Sequence, residues 1–561
     1  MNRFRVVWAC GLAMLLGLTT GCGSTQKQSQ QDTQPTSSTV RFYAGFGDYH
    51  RPISTDSGEA QRYFDQGMQL LYGFNHDEAI RSFHAAAQSD PAAAMPWWGI
   101  AYAHGININD REMTEARSEA AWQASQKARV RLDGASPVEV AMVRAVLTRY
   151  AWPAPTDRSG LDQAYAEAMG DAHQAFPDDP DVGTIYADSL MNLQPWEYWD
   201  NDGRPKGRTT EIVSVLEGVL QKRQDHPGAN HFYIHTVEAS KDPDRAIAAA
   251  ERLETLVPGA GHLVHMPSHI YIRVGRYADA VDSNIQAVEV DRAYLQVAPE
   301  PSMYAIYYAH NLHFLAYAAM MSGRYEDAIK AARDLETEMP KEPLREFAGL
   351  VEGIMPTNFH VMIRFGKWEK ILEEPGYEDY RLVSRAVRLY ARSIACSALG
   401  RTEQARAEMQ AFEAALAEVP ADWYIFNNKV DTVLPIARAM IEGELLFREG
   451  KQDEAFAVLR KGVEAEDALV YDEPPGWMLP VRHALGALLM SAERYEEAEQ
   501  VYREDLERNR NNGWGLLGLQ LALEAQGKRD EADTIKPLIS AAWAQADVTP
   551  SSSCYCESGG E

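Results

Sequence analysis

Eight of the fifteen histidines in this 561-residue sequence fall between positions 226 and 313: His226, His231, His235, His262, His265, His269, His310 and His313. Imidazole changes charge near physiological pH, serves as a general acid or base, and is the commonest metal ligand. The spacing carries more than the count. His231 and His235 stand four apart with Glu238 three further on, and at about 100° per residue all three share one face of a helix. His262, His265 and His269 follow an i, i+3, i+7 pattern, one face if the segment is helical throughout. Pro267 opens an alternative, in which a helix starts there and leaves His262 and His265 in the preceding loop. His310 and His313 form a third same-face pair.

Imidazoles with a carboxylate suit zinc, copper, nickel or iron. The candidate ligands are His231, His235, His262, His265, His269, His310 and His313. Two histidines and a glutamate on one helix leave room for a third histidine and a water, the arrangement of a catalytic site. Glu238 is then a candidate ligand or general base. Met266, Tyr271, Tyr304, Tyr307 and Tyr308 are close enough in sequence to add a thioether or a phenol. Two other uses of the same residues stand beside this one: histidines individually hydrogen-bonded within a core, or lining a groove that binds a peptide. His-Glu-x-x-His, Gly-x-Ser-x-Gly and Walker-type glycine loops are absent, so no nucleotide cofactor is expected.

The elements that must position these side chains are repeated. Gly275-Arg276-Tyr277-Ala278-Asp279-Ala280 recurs as Gly323-Arg324-Tyr325-Glu326-Asp327-Ala328 and as Gly400-Arg401-Thr402-Glu403-Gln404-Ala405. Gly450 to Ala455 and Gly527 to Ala532 are further versions, Glu493 to Ala498 is one without the glycine, and Gly366-Lys367-Trp368 lacks the alanine. Physically the phrase is a helix ending on a left-handed glycine, an acidic first turn opening the next helix, and a small alanine that lets the two approach. Segments 229–239, 261–275 and 303–323 read as the first helices of consecutive units. Adjacent packed helices lie roughly 8–10 Å apart, so imidazoles from neighbours can converge.

With Trp514-x-x-Leu517-Gly518-x-x-Leu521 and Ala79-x-x-x-Phe83 followed by Pro91, the pattern resembles the tetratricopeptide repeat over about 57–104 and 226–545. The resemblance implies an all-α, degenerate helical-repeat solenoid with its first helices lining a concave groove. Helices near 111–132, 136–150, 159–175, 180–192 and 209–224 are expected without the phrase. The strings from Phe64 to Ala79 and from Gly261 to Tyr271 also resemble a family of bacterial secreted repeat proteins of unestablished activity, which bears on fold and localisation only.

The N-terminus reads as an address. Arg3 and Arg5 precede an apolar run over 6–18 and then Gly21-Cys22. This resembles a bacterial lipobox and implies cleavage before Cys22, a lipid on its thiol and, with Gly23 following, anchoring in the outer membrane facing the periplasm. An ordinary cleaved signal is the alternative. The expected organisation is a signal over 1–21, a flexible Ser/Thr/Gln-rich tether over 22–56, N-terminal repeats over 57–225, a histidine-rich segment over 226–340, C-terminal repeats over 341–546, and a disordered tail over 547–561. That tail carries Cys554 and Cys556, a pair that can form a disulfide, bind a soft metal or link to a partner. Cys396 reads as a small core residue. Glu473-Pro474-Pro475-Gly476 reads as a turn between repeats. Asn75, His76 and His104 read as helix caps, and Trp97, Trp98, Trp152, Trp196, Trp199 and Trp423 as helix packing. His360 is within reach of the groove.

With 54 Lys and Arg against 81 Asp and Glu, the net charge is −27, and a surface so acidic repels phosphate backbones, so no nucleic-acid partner is expected. The leading expectation is a lipid-anchored envelope protein that binds a protein or peptide in a histidine-lined groove, with or without a zinc, copper or iron ion. A metalloenzyme that activates water or dioxygen is the alternative, and an assembly scaffold the third.

Overall fold

The computed structural model describes residues 40–298 and 304–554. Apart from one two-stranded hairpin (Tyr424–Ile425 with Asn428–Lys429) and two isolated bridges, its regular elements are helices. Repeat phrases form the corners between them. Their glycines all take positive φ, from +62° at Gly366 to +82° at Gly275. The next helix begins two residues on, as in Tyr277–Leu295, Tyr325–Glu338 and Gln452–Asp467. Ala280, Ala328, Ala405, Ala455, Ala498 and Ala532 are fully buried at the helix–helix contacts. Where the glycine is missing, Glu493 itself adopts φ +58° and Tyr495–Arg508 follows. The region without the phrase is also helical: Glu115–Arg129, Pro137–Thr148, Ser159–Ala175, Pro180–Met191 and Thr209–Lys222.

The chain divides into two compact units. One comprises 49–71 and 75–176 with the segment before 45; the other comprises 45–48, 72–74 and everything from 177 on. The main boundary between the units falls at 176/177. Within the second unit the array does not run on as an open superhelix. Its late repeats return to its early ones: the Trp514 indole donates to the Met320 carbonyl (2.9 Å), Asn511 to Val274 (3.4 Å) and Asn201 to the Asp467 carbonyl (3.3 Å). Arg510 pairs with Asp244 (2.5 Å). Faces that an open solenoid would show to solvent are thereby enclosed.

Both expected flexible ends are shorter than the sequence implied. Residues 40–56 are ordered, with Arg51 and Ile53 buried and the Tyr43 amide donating to Gln66 (2.9 Å); the rest of the tether and the signal lie outside the described residues. At the other end, Asp547 accepts from the backbone N–H groups of Tyr325 (2.7 Å) and Glu326 (2.9 Å), donors that the opening of a helix leaves unsatisfied. Ser553 is fully buried and bonds the Tyr502 hydroxyl (2.7 Å) and the His483 carbonyl (2.8 Å). The tail up to 554 is thus part of the fold because it satisfies polar groups that the repeats leave open. Cys554 is disulfide-bonded, Cys556 lies outside the described residues, and Cys396 is buried and free. Among the described residues no helix is long and apolar enough to cross a membrane.

Candidate metal centre

Three helical stretches of the second unit carry the histidines. Pro227–Val237 opens with proline at its first turn and with the His226 ring accepting from the Ala229 amide (3.0 Å), while the other His226 nitrogen meets Asp181 (3.0 Å). His226 is spent as a cap. His231 and His235 follow on the same helix, and Glu238 is its C-terminal capping residue. Gly261–His265 runs into Pro267–Val274 through Met266, whose φ −52° and ψ −36° are helical. His262 and His265 are therefore helical, not in a loop, because proline is tolerated where a helical turn starts. His310 and His313 lie on Tyr304–Met321.

Six of the seven candidates converge. The ligand atoms of His231, His235 and His262 all lie within 4.8 Å of one another, as do those of His265, His269 and His310, and those of His235, Glu238 and His269. His313 does not join them: its ring packs on Phe426 (5.5 Å between centroids), and burial pushes it down to about 3. His360 also stands apart, edge-on to Trp477 (5.1 Å), and burial takes it down to about 4.

Hydrogen bonds fix how the imidazoles present themselves. His231 Nδ1 faces the Tyr72 carbonyl (2.6 Å) and so must be the donor. His265 Nδ1 donates to Asn284 Oδ1 (2.7 Å), an oxygen identified by the amide nitrogen of the same side chain donating to the Ala280 carbonyl (2.7 Å). His235 and His269 direct Nδ1 to the two oxygens of Glu238, at 2.9 and 2.5 Å. Four rings thus donate through Nδ1 and keep Nε2 as the atom available to a metal, the orientation that outer carbonyls and carboxylates give to metal-bound histidines. His265 and His269 bring their Nε2 atoms to 2.8 Å, and His231 and His262 bring theirs to 3.1 Å. His235 Nε2 and His262 Nδ1 are buried with no hydrogen-bond partner among the described residues.

Electrostatics agree with this reading. Burial, reinforced by the neighbouring rings, holds His231, His262, His265 and His310 far below the ordinary imidazole range, so they are neutral and ligand-competent at neutral pH. For Glu238, burial pushes the carboxyl upward, but attraction to His269 and hydrogen bonds from His269 and His235 outweigh it and hold the group at about 2. With both oxygens engaged, Glu238 positions two imidazoles and is not placed as a general base.

The histidine face is no open groove. His231 and His265 are fully buried, His235, His262 and His269 nearly so, and His310 alone of the six is partly exposed. Closure comes from residues that spacing alone did not mark. Phe74 occupies the place that the repeat phrase gives to glycine, at φ +56°, and lays its ring 4.6 Å from His231 and 5.4 Å from His262. Trp196, at φ +63°, stands edge-on to His235 (5.2 Å). Phe426, at φ +50° in the hairpin turn, meets His310 (5.7 Å). A left-handed backbone is costly for a bulky residue, and among the described residues every aromatic one that adopts it touches this cluster. Trp196 is therefore a wall of the site as well as helix packing. The loop read as a turn at 473–476 is another wall: Glu473 is buried there, and burial with the nearby Glu238 carboxylate pushes its carboxyl well above the usual range; beside it Arg273 donates to the Glu238 carbonyl (3.0 Å).

Residues 481–513 match the tetratricopeptide repeat family model and form the helical pair Val481–Ser491 and Tyr495–Arg508. No curated protein matches the sequence. Solved structures similar to the chain include a human IFIT1 dimer with m7Gppp-AAAA, at 12% identity, covering 88% of this chain and 92% of that chain with a TM-score of 0.32. A monomeric IFIT1 mutant with the same RNA covers 80% of this chain and 90% of that chain, at 11% identity and a TM-score of 0.34.

Proposed function

We propose that this tetratricopeptide-repeat protein is a metalloprotein whose repeats enclose a transition-metal centre made of imidazoles. The observation that carries the reading is the pair His265 and His269. Both rings have Nδ1 committed as donor, so a positive charge sits between the Nε2 atoms that face each other at 2.8 Å: a metal ion in the loaded protein, a shared proton without it. Four more imidazoles in the immediate surroundings support a metal ion of the zinc, copper or iron kind in that place. Bound there, it would supply Lewis-acid or redox chemistry to water, dioxygen or another small molecule. The chain's own contribution is to hold the rings in one tautomer through Glu238, Asn284 and Tyr72, to exclude bulk water with Phe74 and Trp196, and to leave access beside His310. A partner peptide fits this site poorly, since five of the six histidines are buried; the outer faces of the repeats keep the binding or scaffold role that such arrays serve.

The test is the metal content of untagged full-length protein, compared with a variant carrying His235→Ala and His265→Ala, both checked for native helicity. Stoichiometric metal in the first and none in the second is expected. Absence of metal from the first after incubation with zinc, copper and iron would contradict the reading. We also propose, from the sequence around Cys22 alone, that the chain is exported and lipid-anchored in the envelope. Cys22→Ser should then move the protein from the membrane to the soluble periplasmic fraction, and an unchanged distribution would refute the anchor.

A further inference from the structure

We infer that the cluster is built for two ions in inequivalent sites, an inner one on His231, His235 and His262 and an outer one on His265, His269 and His310. The inference rests on the metal reading above and adds to it a stoichiometry and a division of labour.

Repetition is the first argument. His265 and His269 stand 34 residues after His231 and His235, a spacing that also separates successive repeat phrases. Each pair is an i, i+4 couple on the first helix of its unit, and each is completed by one histidine from the first helical stretch of the following unit, His262 for the earlier pair and His310 for the later. The supporting contacts repeat as well. The leading histidine of each pair donates Nδ1 to a fixed oxygen, the Tyr72 carbonyl or Asn284 Oδ1, and the trailing histidine of each donates to Glu238. One carboxylate thus ties together the corresponding members of the two couples.

Geometry is the second argument. The two trios share no residue, and within each the ligand atoms lie within 4.8 Å of one another. An ion roughly 2.0–2.1 Å from each nitrogen keeps a tetrahedral set roughly 3.3 Å apart, close to the 3.1 Å and 2.8 Å Nε2 separations found inside the trios. Ring centroids alone do not part the trios, since His235 to His269 (5.3 Å) and His262 to His265 (5.9 Å) between them compare with His235 to His262 (6.2 Å) and His269 to His310 (5.7 Å) within. What parts them is Glu238: the close approach of His235 to His269 is made through Nδ1 atoms committed to its two oxygens, which leaves the Nε2 atom of each for its own trio. One ion cannot gather all six.

The surroundings separate the sites. All three inner histidines are buried, under Phe74 and beside Trp196 and the Tyr307 ring (4.7 Å from His262). The outer trio includes His310, which is partly exposed and bordered by the hairpin residue Phe426. A small molecule reaches the outer ion, and the inner ion is held out of exchange. Six imidazoles with the carboxylate kept in support suit zinc or copper better than the oxygen-seeking cations.

Metal-free, untagged full-length protein is titrated with zinc, and the zinc retained after gel filtration is counted for wild type, His231→Ala and His310→Ala. Two ions per chain are expected for wild type and one for each variant. A chelator should then strip the ion left in His231→Ala faster than the ion left in His310→Ala. Since His310 is the least buried of the six, its variant keeps the count readable even if His231→Ala fails to fold. One ion in wild type, lost in His310→Ala, would overturn the two-ion inference and leave the metal reading standing. No zinc in wild type would overturn both. Faster stripping from His310→Ala would overturn the assignment of inner and outer.

Discussion

At the scale of the residue, the decisive information is which nitrogen of each ring carries the proton, and Glu238 shows how that is set. Its spacing from His231 and His235 put it on the ligand face and made it a candidate ligand or base. The fold brings His269 to it from another unit, so both oxygens accept Nδ1–H bonds and the group becomes a clamp. Spacing reveals a shared face; it does not reveal a contact 31 residues away in sequence. Glu238→Gln keeps the shape and one acceptor but turns an amide NH2 against the second imidazole N–H. It should weaken metal binding by about 10- to 100-fold while the helical content is unchanged. Competition titration against a chromogenic chelator measures this, and unaltered affinity would mean that the carboxylate has no part in positioning.

At the scale of the element, the repeat phrase was legible because its physics is local. Glycine, acidic first turn and alanine were readable as a corner, and the φ values and buried alanines bear that out. Exceptions to the phrase are informative too. Glu493 is exposed and holds φ +58° with no ring to bury, so its strain serves nothing visible in the structure. Glu493→Gly should stabilise the fold by about 0.5–1 kcal/mol, the left-handed penalty relieved less the extra freedom of glycine in the unfolded chain. Phe74 sits at the equivalent place in its own repeat, but its ring is buried on His231 and His262. There the same change to glycine should cost about 2–4 kcal/mol, because lost packing exceeds the strain relieved. Chemical denaturation of the two variants separates a tolerated strain from a used one; equal effects of the same sign would contradict the distinction.

At the scale of the whole molecule, what escaped the sequence is what depends on closure. Nothing in the local pattern announces that residues 467–547 return to 201–326, that Asp547 caps the helix starting at Tyr325, or that Ser553 is buried against Tyr502. An open array puts its first helices on a groove, which is why a peptide-binding surface was the leading expectation; a closed one puts them inside. The N-terminal address read from 1–22 lies outside the described residues and rests on its sequence alone. In the proposed reading enclosure also sharpens the chemistry, since imidazoles kept from water suit a cation better than a segment of chain. X-ray absorption at the edge of whichever metal copurifies with untagged full-length protein tests this most directly. A shell of nitrogen at about 2.0–2.1 Å with the outer scattering of imidazole rings is expected. A shell of sulfur, or of oxygen without imidazole, would place the metal elsewhere and contradict it.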